Sequence, residues 1–244
     1  MEKYNSLLNG AIFVSSNCGL HIVLRHADGS ITREKLLEAF IDNKWEKLLY
    51  CVRTSIERNL DYLVICDEQI FHSISDNLSL IDKIASLNRN RRVLEGIFFA
   101  YLFSNDVIQI STDLFWTDYV IGIQGALIFN QSFTAILNQD VPTNLKFDIQ
   151  LSETLKHKLL TSSNLGSIGF IKNYSELFEN EDLKILYEGS KLQINLSKQV
   201  YDNYHFEKGN LDSQIRFIQS QYHKIYLNYY RIKESLISKL LSYE

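Results

Sequence analysis

Proline is nearly absent from this chain: Pro142 is the only one in 244 residues, which excludes proline-rich spacers and a string of small modules. Glycine is sparse as well, at ten. No Gly-x-x-x-x-Gly-Lys-Ser/Thr, no Gly-x-Ser-x-Gly and no dinucleotide fingerprint occurs, so P-loop, nucleophile-elbow and Rossmann-cofactor chemistry are not expected. The three cysteines, Cys18, Cys51 and Cys66, are odd in number, lack metal-ligand spacing and stand in apolar segments. They read as small buried hydrophobes in a reducing compartment. The six histidines include no i, i+4 pair and no His–Cys spacing, so a zinc centre is not expected. No run approaches the roughly 20 apolar residues that span a bilayer, and the opening MEKYNSLLNG has neither an apolar core nor a small-residue cleavage site. The expectation is a cytoplasmic protein, with peripheral membrane contact left open. A net charge of −4 argues against a broad nucleic-acid-binding face.

What is present is a core. Hydrophobic residues make up 45% of the chain and aromatics 12%, with 14 Tyr and 14 Phe, enough to fold one large domain. The segments GAIFVSS (10–16) and LHIVLR (20–25) read as strands, the second stopping at Asp28-Gly29. From Thr32 to Ile56, Leu36, Leu37, Phe40, Ile41, Trp45, Leu48, Leu49 and Val52 recur at helical spacing. YLVIC (62–66) is a continuous apolar run of the kind buried on both faces of a parallel sheet. Further strands are expected at 106–112, 119–129 and 166–171, with strand or short helix at 93–103. Helices are expected at 76–87, 131–138, 150–160 and 211–243. Strand–helix alternation predicts an α/β domain with a mostly parallel central sheet.

The most informative feature is chemical. The YLVIC strand runs straight into Asp67 and Glu68. Carboxylates are costly to desolvate, so a buried strand that ends in two of them presents them in a crevice, and open α/β sheets bind ligands at that edge. Hard oxygen ligands there suit Mg²⁺ or Mn²⁺ bridging a diphosphate.

The run SIERNLDYLVICDEQIFHSISDNL (55–78) resembles the helix–strand–acid segment of the lipopolysaccharide-type glycosyltransferases of family 25. Other pieces follow in the family's order: the turn Ala27-Asp28-Gly29, the strand–helix YVIGIQGALIFNQSFTAIL (119–137), Phe147-Asp148 after Pro142, and GSIGFI (166–171). The resemblance spans roughly residues 10–180. It implies a GT-A-like, nucleotide-sugar-binding α/β sandwich over 1–210. It also implies sugar transfer from a nucleotide-diphosphate donor to a surface-glycan acceptor of lipopolysaccharide or capsule type. On that pattern Asp67 and Glu68 hold the divalent metal, Arg25, Asp28 and Asp67 contact the donor, and Asp148 serves the acceptor as general base. Two positions depart: the family's Glu-Asp-Asp is here Cys66-Asp67-Glu68, with the first acid lost and the last lengthened by one methylene. A catalytically inactive nucleotide- or glycan-binding relative is therefore the alternative.

Other residues offer secondary candidates. His26 lies beside Arg25, and Arg89, Arg91 and Arg92 form a basic cluster able to meet phosphate. Asp118, Gln124 and Glu153 flank the expected acceptor side, Trp116 could stack on a sugar, and His205 could add a late contact. In 211–244, Ile215, Ile218, Tyr222, Ile225, Tyr229, Ile232 and Leu236 form a stripe at alternating three–four spacing. That segment carries five Lys/Arg against three Asp/Glu. Three partners remain open for this long C-terminal helix: its own domain, a second copy through 211–243, or an anionic membrane surface.

Overall fold

A computed structural model describes residues 9–16, 19–25, 30–37, 43–75, 85, 94–105, 107–111, 114–140, 147–161 and, from 189 to 199, all but 192 and 196. The expected features at 166–171 and 211–243, the arginines 89, 91 and 92, His26, Asp28 and His205 lie outside the described residues.

The chain opens with three strands, β1 (Gly10–Ser16), β2 (Gly19–Arg25) and β3 (Ile31–Leu37), followed by α1 (Lys44–Glu57), β4 (Tyr62–Asp67) and α2 (Glu68–Ser75). Short strands follow: β5 (Gly96–Ala100), β6 (Phe103–Asn105), β7 (Ile108–Ser111), β8 (Leu114–Trp116), β9 (Tyr119–Ile121) and β10 (Gly125–Phe129). A 3₁₀ turn leads into α3 (Phe133–Leu137), then α4 (Phe147–Thr154) and β11 (Lys158–Thr161). Residues 189–191, 193–195 and 197–199 are helical.

Nine strands form one sheet in the order β3-β2-β1-β4-β10-β5-β11-β8-β7, and β6 pairs with β9 in a second. The fold is mixed α/β, but the sheet is not mostly parallel. Only β1–β4 and β5–β11 are parallel; the other six neighbouring pairs run antiparallel. The reason is in the connections. Two residues link β1 to β2, too few for anything but a hairpin, and β10 inserts between β4 and β5 in the opposite direction.

The helix expected from Thr32 is shorter than its apolar spacing suggests. Residues 31–37 pair with β2 instead, placing Arg33 opposite Val23 and Glu34 opposite Ile22, so strand pairing overrides a helical pattern. Helix α1 starts where Asn43 caps it, its side chain accepting from the N–H groups of Trp45 and Glu46. Its buried face carries Trp45, Leu48, Leu49 and Val52, each contributing roughly 1.5–3 kcal/mol by leaving water. The expected helix 150–160 likewise breaks at Leu155, and Lys158–Thr161 joins the sheet between β5 and β8.

Alternation along β4 sends Leu63 and Ile65 to one face, beneath α1, α3 and α4, and Tyr62, Val64 and Cys66 to the other, beneath α2. Helices thus cover both faces of the sheet. Among the described residues no helix is long and apolar enough to cross a membrane.

Candidate functional site

Strands β1 and β4 lie side by side and parallel, yet the chain leaves β1 toward β2 and leaves β4 through α2 toward the opposite half of the sheet. Onward connections that part in this way open a crevice at the carboxyl ends of the two strands. A cavity of about 80 Å³ sits there, between those strand ends and the start of α1. That volume holds several waters or a phosphate-sized group, and not a whole nucleotide. Its polar lining is Ser15, Lys44, Lys47, Asp67 and Gln124, set against Phe13, Leu48 and Phe147.

Ser15 and Asp67 are register partners and project from the same face. The Lys47 ammonium donates to the Ser15 hydroxyl at 2.7 Å. Lys44, one turn earlier on the same side of α1, carries its Nζ 5.8 Å from the centre of the Phe147 ring. Asp67 is open to solvent through the cavity mouth, but protein surrounds it on the other sides. That partial desolvation raises its carboxyl above the ordinary range, and the charges of Lys44 and Lys47 oppose the rise.

Glu68 belongs to a different environment. It is the first residue of α2 and turns toward β3, where Arg33 grips both of its oxygens at 2.8 and 2.6 Å. His72 Nε2 stands 3.7 Å away, and the Arg33 guanidinium lies 5.7 Å over the Phe71 ring. The Arg33 hydrogen bonds hold the Glu68 carboxyl below its usual range. Asp67 and Glu68, adjacent in sequence, are therefore not brought together. Cys66 packs into the apolar cluster on the α2 face, and burial pushes its thiol well up. A carboxylate at that position would have to be desolvated. Among the described residues no group of three His, Cys, Asp or Glu gathers as a metal shell.

Asp148, the expected base, is held by backbone donors and does not line the cavity. From the first turn of α4 it accepts from the N–H groups of Gly122 at 2.9 Å and Ile123 at 3.1 Å, one to each oxygen. Desolvation raises its carboxyl, and those two hydrogen bonds work against the rise. Gly122 is at φ +71, with Leu102 packed where a side chain would stand, so the carboxylate pins a loop that only glycine makes without strain. That loop leads into Ile123 and Gln124, both in the cavity wall. Asp148 shapes the cavity from behind.

Arg25 is also displaced from its expected place. Because β2 runs antiparallel to β1, it ends beside the start of β1, at the level of Tyr62. Five residues of strand, roughly 16 Å, separate that level from Asp67. The backbone positions of Arg25 and Asp67 therefore lie at opposite strand-end edges of the sheet. Trp116 is half-buried against the α2-side core, and Glu153 accepts a long 3.5 Å bond from the Tyr119 hydroxyl.

The residues missed from sequence are Ser15, Lys44 and Lys47. One signal was available. A lysine at the first position of a helix and another one turn on oppose its dipole, which favours anions there.

No protein-family model, no curated protein and no solved structure matches the chain.

Proposed function

We propose that the protein is a glycosyltransferase that moves a sugar from a nucleotide-diphosphate donor to a surface-glycan acceptor, with a GT-A-like arrangement of its α/β domain. The observation that carries this reading is Asp67 in a cavity at the carboxyl ends of β1 and β4, where open α/β sheets take their ligands. In this reading the donor's diphosphate enters the cavity and its nucleoside lies outside. Asp67 receives the hydroxyl that must lose a proton, its raised carboxyl being better matched to that exchange than an ordinary aspartate. Asp148 keeps the 122–124 loop in place.

The test is release of nucleoside diphosphate from a panel of sugar nucleotides, followed by chromatography with and without oligosaccharide acceptors, for the natural chain and Asp67→Asn. Turnover that falls at least a hundredfold in the variant supports the reading. Equal turnover in the two removes Asp67 from the chemistry.

A second reading has its own support. Glu68 is committed to Arg33 and Asp148 to two backbone donors, so Asp67 is the only carboxylate lining the cavity among the described residues. A nucleotide- or glycan-binding module needs no more than that. Binding of a sugar nucleotide without turnover, under every acceptor and cation condition, would select it.

A further inference from the structure

The Mg²⁺ or Mn²⁺ that the sequence pattern implies needs Asp67 and Glu68 on one ion, and the residues do not fit it. Glu68 has both oxygens on Arg33, which stands on the face of the sheet opposite the cavity. Among the described residues Asp67 is the one carboxylate that lines the cavity on the α1 face. What the cavity offers in place of a second carboxylate is cationic. Lys44, the first residue of α1, and Lys47, one turn on, both line it. Among the described residues its lining carries two ammonium groups and one carboxylate.

The placement of these lysines is costly on its own. A cation at the start of a helix works against the positive end of the helix dipole, and Glu46 in the first turn of α1 offsets part of that effect. Asn43 already caps the N–H groups of Trp45 and Glu46, so the lysine side chains, rather than the helix's own donors, are the groups turned to the cavity. The Ser15 hydroxyl, fixed by Lys47 at 2.7 Å, adds a neutral hydrogen-bonding group beside them. An anionic guest in the cavity meets both ammonium groups and the positive end of the helix together.

We propose that this cavity holds the phosphate oxygens of its ligand with Lys44 and Lys47, in the role that the sequence pattern gives to a divalent cation between Asp67 and Glu68. This rests on the donor being a nucleoside-diphosphate sugar. The ammonium pair neutralises the diphosphate and remains to stabilise it as it departs.

The experiment is calorimetric titration of UDP, GDP, CDP, ADP and inorganic pyrophosphate into the full chain, once with EDTA and once with Mn²⁺. The natural sequence is compared with Lys44→Gln/Lys47→Gln and with Lys44→Arg/Lys47→Arg, each checked by thermal unfolding without ligand. One nucleoside diphosphate is expected to bind equally well in EDTA and in Mn²⁺. It should bind at least tenfold more weakly to the glutamine variant, with most of the affinity retained by the arginine one. Binding that requires Mn²⁺ overturns the inference and leaves the transferase reading standing. Pyrophosphate binding in EDTA that depends on the lysines, with no nucleotide bound more tightly, upholds the lysine site and overturns the nucleotide donor. No binding in either buffer overturns the lysine site. Should the double variant not fold, the comparison of EDTA with Mn²⁺ on the natural chain still decides, with Lys44→Gln, at an exposed position, as the partial test.

Discussion

Arg33 and Glu68 are joined in a two-pronged ion pair, with nitrogen–oxygen distances of 2.8 and 2.6 Å, that ties strand β3 at the edge of the sheet to the first turn of α2. About a third of each side chain remains exposed, so solvent screens the attraction. Arg33→Gln is expected to cost no more than about 1 kcal/mol. The sign of its pH dependence is fixed: Glu68 has a lowered folded-state carboxyl, so the stability it contributes is present above the ordinary glutamate range and is lost as pH falls through the folded value. Urea midpoints of the natural chain and the variant should therefore differ most near neutrality and converge in acid. A gap that widens in acid would contradict the pairing.

Asp67 is expected to behave in the opposite sense. Its carboxyl is raised, so the folded chain holds that proton more tightly than the unfolded one, and stability declines as pH rises through its titration. Asp67→Asn should match the natural chain in melting temperature at low pH and equal or exceed it at pH 7, while losing ligand binding or turnover. A variant less stable at pH 7 than in acid, relative to the natural chain, would show that the carboxylate is structurally required.

Asp148→Ala leaves the N–H groups of Gly122 and Ile123 without the acceptor they have now, and the expected cost is about 2–4 kcal/mol. Asp148→Asn keeps one acceptor oxygen and should cost less. Activity per folded molecule separates a loop-pinning role from a catalytic one: Asp148→Asn is expected to change KM and stability and to leave kcat within a few-fold. A kcat loss of a thousandfold with an intact fold would restore Asp148 as the base.

Trp45 is fully buried, with its ring edge-on to Phe147 at 5.9 Å, and its indole N–H finds no acceptor among the described residues. Trp45→Phe removes that unsatisfied donor while opening a small void, so it should stay within about 1 kcal/mol of the natural chain, against about 3–5 kcal/mol for Trp45→Ala. Denaturant unfolding of the two variants checks the difference. Equal losses would mean that ring volume alone sets the cost.

The strand Tyr62–Asp67 and its acidic end were legible because a short apolar run followed by charge is a local signal, and the β1 and β2 segments were legible for the same reason. What did not show was direction. Asp67 is the last residue of a strand and Glu68 the first of a helix, so the side-chain repeat changes from two to 3.6 residues between them, and neighbours in sequence part company in space. Thr32–Leu37 carried apolar spacing compatible with a helix, and pairing with β2 decided otherwise. The mixed sense of the sheet depends on β10 slipping between β4 and β5, a long-range choice without a local trace. Lys44 and Lys47 look like surface charges in a helical repeat until Asn43 is known to be the cap.

The two ends of the long sheet are finished in different ways. At β7 the Gln109 N–H, turned away from β8, is taken at 2.6 Å by the Ser197 hydroxyl. In the two-stranded sheet, Ser190 accepts the Ser104 N–H of β6 at 3.1 Å. At the far end, Thr32, Arg33, Glu34 and Lys35 run along the exposed β3. At one rim a strand amide is thus taken by a serine hydroxyl, and the other is lined by alternating charge. A stray strand that tried to extend the sheet would have to evict Ser197 at the first rim or desolvate the ion-paired Arg33 and Glu34 at the second.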